Sequence, residues 1–193
     1  MCNLYRMEKA PDAIAGLARE LGLQFRFPEG VPNFQPRDVR ITERAAILRA
    51  AGDEDIDLVE RRWSWPGPRG APVFNFRGEG RRFDPADRCV ILTDGFYEFT
   101  APEDPKAKKK RRWLFTWPEH DWFGIAGICR TDPQVGEAFT MLTCEPGADV
   151  APYHNRQVVL LSPGDCMAWL DLGSSAQDFV KPLPAGSLNV QQV

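Results

Sequence analysis

The chain has 193 residues, is 43% hydrophobic and 26% charged, and carries a net charge of −3. That is enough apolar content to bury a real core and too little charge for a disordered chain. The acidic balance excludes a protein that coats nucleic acid by bulk charge, and no apolar run reaches the roughly 18–20 residues of a membrane span.

The start, Met1-Cys2-Asn3-Leu4-Tyr5-Arg6-Met7, shows no basic leader before an apolar stretch, so a reducing cytoplasm is expected. Five cysteines, an odd number with no C-x-x-C pair, read neither as a disulfide framework nor as a zinc site. Removal of Met1 would leave Cys2 with an amine and a thiol on adjacent carbons. Both titrate near ~8–8.5 and are partly nucleophilic at neutral pH. By position alone, a cysteine there is more often incidental.

Pro11 to Leu21 has helical spacing, with Pro11 suited to the first turn and Gly22 to the stop. Phe27 to Pro36 reads as a loop and Val39 to Ile41 as a short strand. Arg44 to Ala51 is ambiguous between helix and strand, and Ile56 to Trp65 reads as the second arm of a hairpin. Asn75 and Arg77 share one face of a strand, with Phe74 and Phe76 on the other. The pair could bind an anion, or be the wet side of an amphipathic strand. Trp63 and Trp65 are either core or a platform for stacked bases.

Cys89 to Phe99 holds two apolar runs joined at Asp94-Gly95. Alternation puts Glu98 on the face of Phe96, where burial would raise its pKa; the alternative is a glutamate facing water. Lys106 to Arg112 (KAKKKRR) reads as a solvated hairpin loop, with a phosphate-attracting patch as the lesser reading. Arg112 to Trp117, Trp122 to Cys129, Ala138 to Cys144 and Gln157 to Leu161 read as strands. His154 and Arg156 precede the last of these. They could form a general acid beside a phosphate clamp, or an exposed turn. Pro163 starts a short helix through Leu170, and the tail from Lys181 reads as an irregular or extended arm. The order, one early helix and then mostly strands, suggests an α+β domain over residues 1–193, with a largely antiparallel sheet or barrel-like core and a few flanking helices.

Cys2, the series Asn75-x-Arg77-x-Glu79, Gly95-Phe96-Tyr97-Glu98 and His154-Asn155-Arg156 occur in this order. The set resembles the SOS response-associated peptidase (SRAP) family, proteins that shield abasic sites in single-stranded DNA. The resemblance implies a catalytic group of Cys2, Asn75, Glu98 and His154. Cys2 would form a thiazolidine crosslink with the open-chain sugar, Glu98 would move protons at the amine, and His154 would protonate the ring oxygen. Asn75 would position the amine or the sugar. Arg77 and Arg156 would grip phosphates, Trp63 would stack on a base and Pro36 would wedge the strand apart. The implied partner is single-stranded DNA with abasic sites, met on the nucleoid, with no cofactor, metal or membrane, and the chain is expected to act as a monomer. Asn3 and Leu4 stand where the family usually has Gly-Arg, which leaves Arg6 as a substitute phosphate contact, and Gln157-Val158 stand where Met-Pro is usual. A thiol peptidase using Cys2 and His154, and a non-covalent single-stranded DNA binding module, are the competing readings.

Overall fold

The structure, a computed structural model, describes residues 2–9, 16, 25–32, 35–52, 55–104 and 106–193. The helix expected over Pro11 to Leu21 falls, Gly16 apart, outside them. The described chain is mostly strand. In order these are β1 (Leu4–Met7), β2 (Phe25–Arg26), β3 (Arg37–Arg40), β4 (Arg44–Ala50), β5 (Ile56–Trp63) and β6 (Trp65–Pro66). They continue with β7 (Pro72–Val73), β8 (Asn75–Arg77), β9 (Arg88–Thr93), β10 (Gly95–Thr100), β11 (Arg111–Thr116) and β12 (Phe123–Asp132). The last four are β13 (Gly136–Cys144), β14 (Gln157–Val158), β15 (Leu160–Leu161) and β16 (Asn189–Gln192). The helix α1 (Pro163–Leu170) starts where Ser162 accepts a hydrogen bond from the Asp165 N–H, with Pro163 in its first turn.

The ambiguous segment Arg44 to Ala50 is a strand, paired antiparallel with β5 from Arg44 opposite Arg62 to Ala50 opposite Ile56. Tertiary pairing overrides the helix propensity of its alanines. β4, β5, β9, β12 and β13 form a closed ring. Five strands cannot alternate direction all the way round, so one junction must be parallel. It is β5 with β13, where Trp63 faces Phe139.

Strands β4, β9 and β12 are covered on both faces. Ile47, Ile91 and Ile125 point into one core, shared with the inner face of a second sheet. Leu48, Val90, Leu92 and Ala126 point into another, closed by Cys166, Trp169 and Leu170 of α1. Double burial explains why these segments read as continuous apolar runs rather than alternating ones.

The second sheet has the order β16-β11-β10-β1-β3, all antiparallel. β1 lies inside it, between β10 and β3. The chain passes from the ring to this sheet at Asp94. The Asp94 carboxylate accepts the N–H groups of Glu8 (2.7 Å) and Lys9 (2.8 Å) and pairs with Arg6, so one buried acid ties the end of β1 to the corner. Among the described residues no helix is long and apolar enough to cross a membrane.

The close packing of β12 rests on glycine. A Cβ on Gly127 would lie 2.4 Å from Ile91 Cδ1 and 2.9 Å from both Cys89 Sγ and the Thr140 carbonyl. Gly127→Ala is expected to lower stability by about 1–3 kcal/mol, read as a lower urea midpoint with an unchanged slope.

Candidate active site at the first strand

Cys2 lies two residues before β1 and is 1% exposed, packed in the core with Tyr5 and Phe96. The pairing of Tyr5 opposite Phe96 sets β1 against β10, and the chain N-terminal to that pairing runs alongside the Glu98 end of β10. Two contacts fix the cysteine. The side-chain amide of Asn75, on β8, donates to the Cys2 carbonyl at 2.7 Å. The Cys2 backbone N–H donates to the Glu98 carboxylate. Asn75 stands on β8 beside β13, on the ring, whereas Glu98 belongs to the second sheet. The cysteine is therefore clasped between the two halves of the fold.

Glu98 is 1% exposed on the inward face that alternation assigned to it, beside Phe96. Burial pushes its carboxyl up to about 7 from an ordinary 4.5, although the charge and hydrogen bond of the amino terminus, and after them the Cys2 N–H, pull in the opposite direction. The Cys2 thiol donates to the Leu4 carbonyl at 3.3 Å. Burial, followed by the charge of Glu98, raises this thiol to about 12, so it is protonated at neutral pH.

His154 ends the turn that follows β13. Its ring Nδ1 lies 3.0 Å from the N–H of Arg156 and 3.1 Å from that residue's carbonyl. The preceding ring, Tyr153, rests on Trp113 and Phe115, with centroids 4.8 and 5.3 Å away. Trp113 is the strand partner of Glu98, so Tyr153 seats the turn over the pair β10–β11 that carries the buried acid. Burial, and then the positive charge at the start of the chain, lower the His154 pKa.

Three expected contacts to DNA are spent inside the protein. Trp63 is 0% exposed, lies parallel to Phe139 with centroids 6.5 Å apart, and donates its indole N–H to the Phe74 carbonyl at 2.9 Å. It is a core residue and offers no face to a base. Arg156 is buried. Its guanidinium pairs with both oxygens of Glu79 at 2.6 Å, reaches Glu145 at 3.1 Å and donates to the Thr143 carbonyl at 2.9 Å. The anion it grips belongs to this chain. Arg6, the substitute phosphate contact, is committed to Asp94. Arg77 and Pro36 are exposed. Sequence reading noted Glu79 but missed its partner, because the only signal is a charge match across 77 positions. Gln157, at a departure from the family pattern, is buried and holds the turn by accepting the Gly147 N–H at 2.6 Å. Among the described residues, no three His, Cys, Asp or Glu side chains gather as metal ligands.

Compared with known families, the chain matches the description "SOS response associated peptidase (SRAP)" over residues 1–193. The chain belongs to the SRAP family. Membership assigns it, at the coarse level, to the SOS-response-associated, peptidase-like proteins. No match was found among curated proteins. Several solved structures share the SRAP fold seen here. One, from Bordetella bronchiseptica, is 22% identical with a TM-score of 0.70, the match covering 100% of this chain and 99% of that one. A protein from Bacteroides thetaiotaomicron is 17% identical with a TM-score of 0.71, over 100% and 92% of the two chains. A phage-related protein from Bordetella bronchiseptica is 18% identical with a TM-score of 0.72, over 100% and 94%.

The raised pKa of Glu98 makes stability depend on pH. From about 4.5 to about 7 the folded chain keeps a proton that the unfolded chain has released, so stability falls as pH rises through that window. Glu98→Gln is expected to melt close to the parent near pH 4.5 and several degrees above it near pH 8, by calorimetry. An identical difference at both values would exclude a buried, titrating Glu98.

Proposed function

We propose that this chain forms a covalent crosslink with abasic sites in single-stranded DNA through Cys2, once Met1 has been removed. The observation that carries the reading is the Cys2 nitrogen, held against a buried carboxyl poised near 7 while Asn75 anchors the same residue's carbonyl. Loss of Met1 turns that nitrogen into an amine without moving its anchor.

The chemistry follows from the groups. The abasic sugar opens to an aldehyde as one proton reaches the ring oxygen and another leaves the anomeric hydroxyl. His154 serves the ring oxygen: its lowered pKa makes its imidazolium a ready proton donor. The Cys2 amine adds to the aldehyde carbon, and Glu98, as the acid, gives a proton to the departing hydroxyl. Water leaves and an iminium remains. The Cys2 thiol then adds to the same carbon, its proton passing to the Glu98 carboxylate. A five-membered ring of nitrogen, two cysteine carbons, sulfur and the sugar carbon results. A protonated thiol suits this order, because the amine acts first and the thiol meets an activated carbon. A thiolate peptidase would need the opposite, a thiol pKa below its ordinary value.

A second reading is favoured by the same contact. Glu98 faces the nitrogen of the Met1–Cys2 bond, so its acid form can protonate that nitrogen as water cleaves the bond. Self-processing and crosslinking then use one proton shuttle.

Processed protein mixed with a single-stranded oligonucleotide bearing one abasic site is expected to give a shifted band on a denaturing gel. Cys2→Ala abolishes the band, and Glu98→Gln, freed of Met1 by an added aminopeptidase, gives it roughly 100-fold more slowly. A band that persists in Cys2→Ala would rule out this chemistry. Intact-mass measurement of Glu98→Gln is expected to show Met1 retained; complete removal would assign processing to a host aminopeptidase.

A further inference from the structure

The second sheet has an outer face, and it carries a feature separate from the buried site. Cys2, Tyr5 and Phe96 face the inner core. Leu4, Tyr97 and Leu114 form a cluster of their own, with Phe99 packed against it. Over this cluster, at the end of the sheet where β1 begins, lies an open groove of about 600 Å³, within the roughly 300–1,000 Å³ of ligand clefts.

Arg40, Lys109, Lys110 and Arg112 line the groove with no Asp or Glu side chain among them; the last residue, Val193, also lines it, so its terminal carboxylate offsets at most one of the four charges. Among the described residues no acid pairs with the side chains of Arg40, Lys109 or Lys110. Arg112 is steered rather than neutralised. Its nearest carboxylate, Asp38, is 3.9 Å away, and its guanidinium sits 5.0 Å from the centre of the Tyr97 ring, whose hydroxyl donates to Asp38 at 2.9 Å. A half-exposed pair at that distance contributes little. Four like charges in one concavity raise a local positive potential on a chain whose net charge is −3. The floor is apolar, from Leu4, Ile41 and Phe99, which suits sugars and bases between phosphates better than a lone anion. Asn3, the residue after Cys2, stands at its edge.

We infer that this groove holds the phosphate backbone of single-stranded nucleic acid, on the stretch that runs on from the sugar held at Cys2. Its position relative to the lesion rests on the crosslinking reading; its chemistry does not. The concave shape with an apolar floor favours a single strand over a membrane surface, which would need a flat or protruding face. The run Lys106 to Arg112 is thus more than a solvated loop: its last residues join Arg40, from the opposite edge of the sheet, around one groove.

The test uses the full chain and the variant R40A/K109A/K110A, all exposed positions. A labelled single-stranded oligonucleotide without a lesion is titrated at several salt concentrations. Each lost phosphate contact flattens the plot of log affinity against log salt by about 0.7, so the triple variant is expected to be shallower by about 2 and roughly tenfold weaker at low salt. An unchanged slope overturns the inference. So does variant-sensitive binding to phosphatidylserine vesicles with unchanged oligonucleotide binding, which would assign the groove to a lipid surface. An abasic trinucleotide, too short to span both sites, separates the two proposals. Equal crosslinking by parent and variant shows the Cys2 chemistry intact. No crosslinking by either sinks that chemistry, while the lesion-free titration still decides the groove.

Discussion

The backbone N–H of Cys2 points at a glutamate that water scarcely reaches. A buried carboxylate is costly to ionise, and the positive charge and hydrogen bond of the amino terminus together with the Cys2 N–H do not cancel that cost, so the acid titrates near 7. Glu98 remains in this position because β10 lies in the interior of its sheet, paired with β1 at Gly95 and Phe96 and with β11 from Phe96 to Thr100. β1 is itself held at both ends, by Asp94 at the corner and by Asn75 near Cys2. Destabilising the corner would let β1 slip, and with it the register that sets nitrogen against acid.

The polar residues around this site fall into two groups that look alike in sequence. Asn75, Glu98 and His154 surround the start of β1. Glu79 and Arg156, only a few positions from two of them, form a bidentate ion pair with Thr143 and Glu145 at its edges. That pair links the segment after β8 to the segment before β14 and so sets the turn that carries His154. A guanidinium used this way is not available to a phosphate. The same holds for Trp63, whose ring seals the parallel junction of the barrel.

Positive charge for a polyanion therefore comes from other places. Arg77 is exposed next to Asn75, and four cations gather on the outer face of the sheet. A chain of net charge −3 concentrates its cations in small areas, so the attraction for nucleic acid proposed above would be local and salt-sensitive rather than general.

The sequence by itself determined the largely β architecture, the helix from Pro163, the family motifs and the inward face of Glu98. Each is a matter of local spacing, and alternation beside Phe96 was enough to place a buried acid. It left Arg44 to Ala50 ambiguous because alanine and leucine suit a helix, and only pairing with β5 and β9 decided the strand. It could not separate Arg77 from Arg156, or Trp63 from a surface ring, since exposure depends on what other segments bring alongside. Nor could it join Arg40, at the end of β3, to Lys109 and Lys110, in the loop before β11, which come together only when β1, β3, β10 and β11 form one sheet. Local chemistry is written in the order of residues; partners across the chain are set by the packing that minimises exposed apolar surface and unpaired backbone.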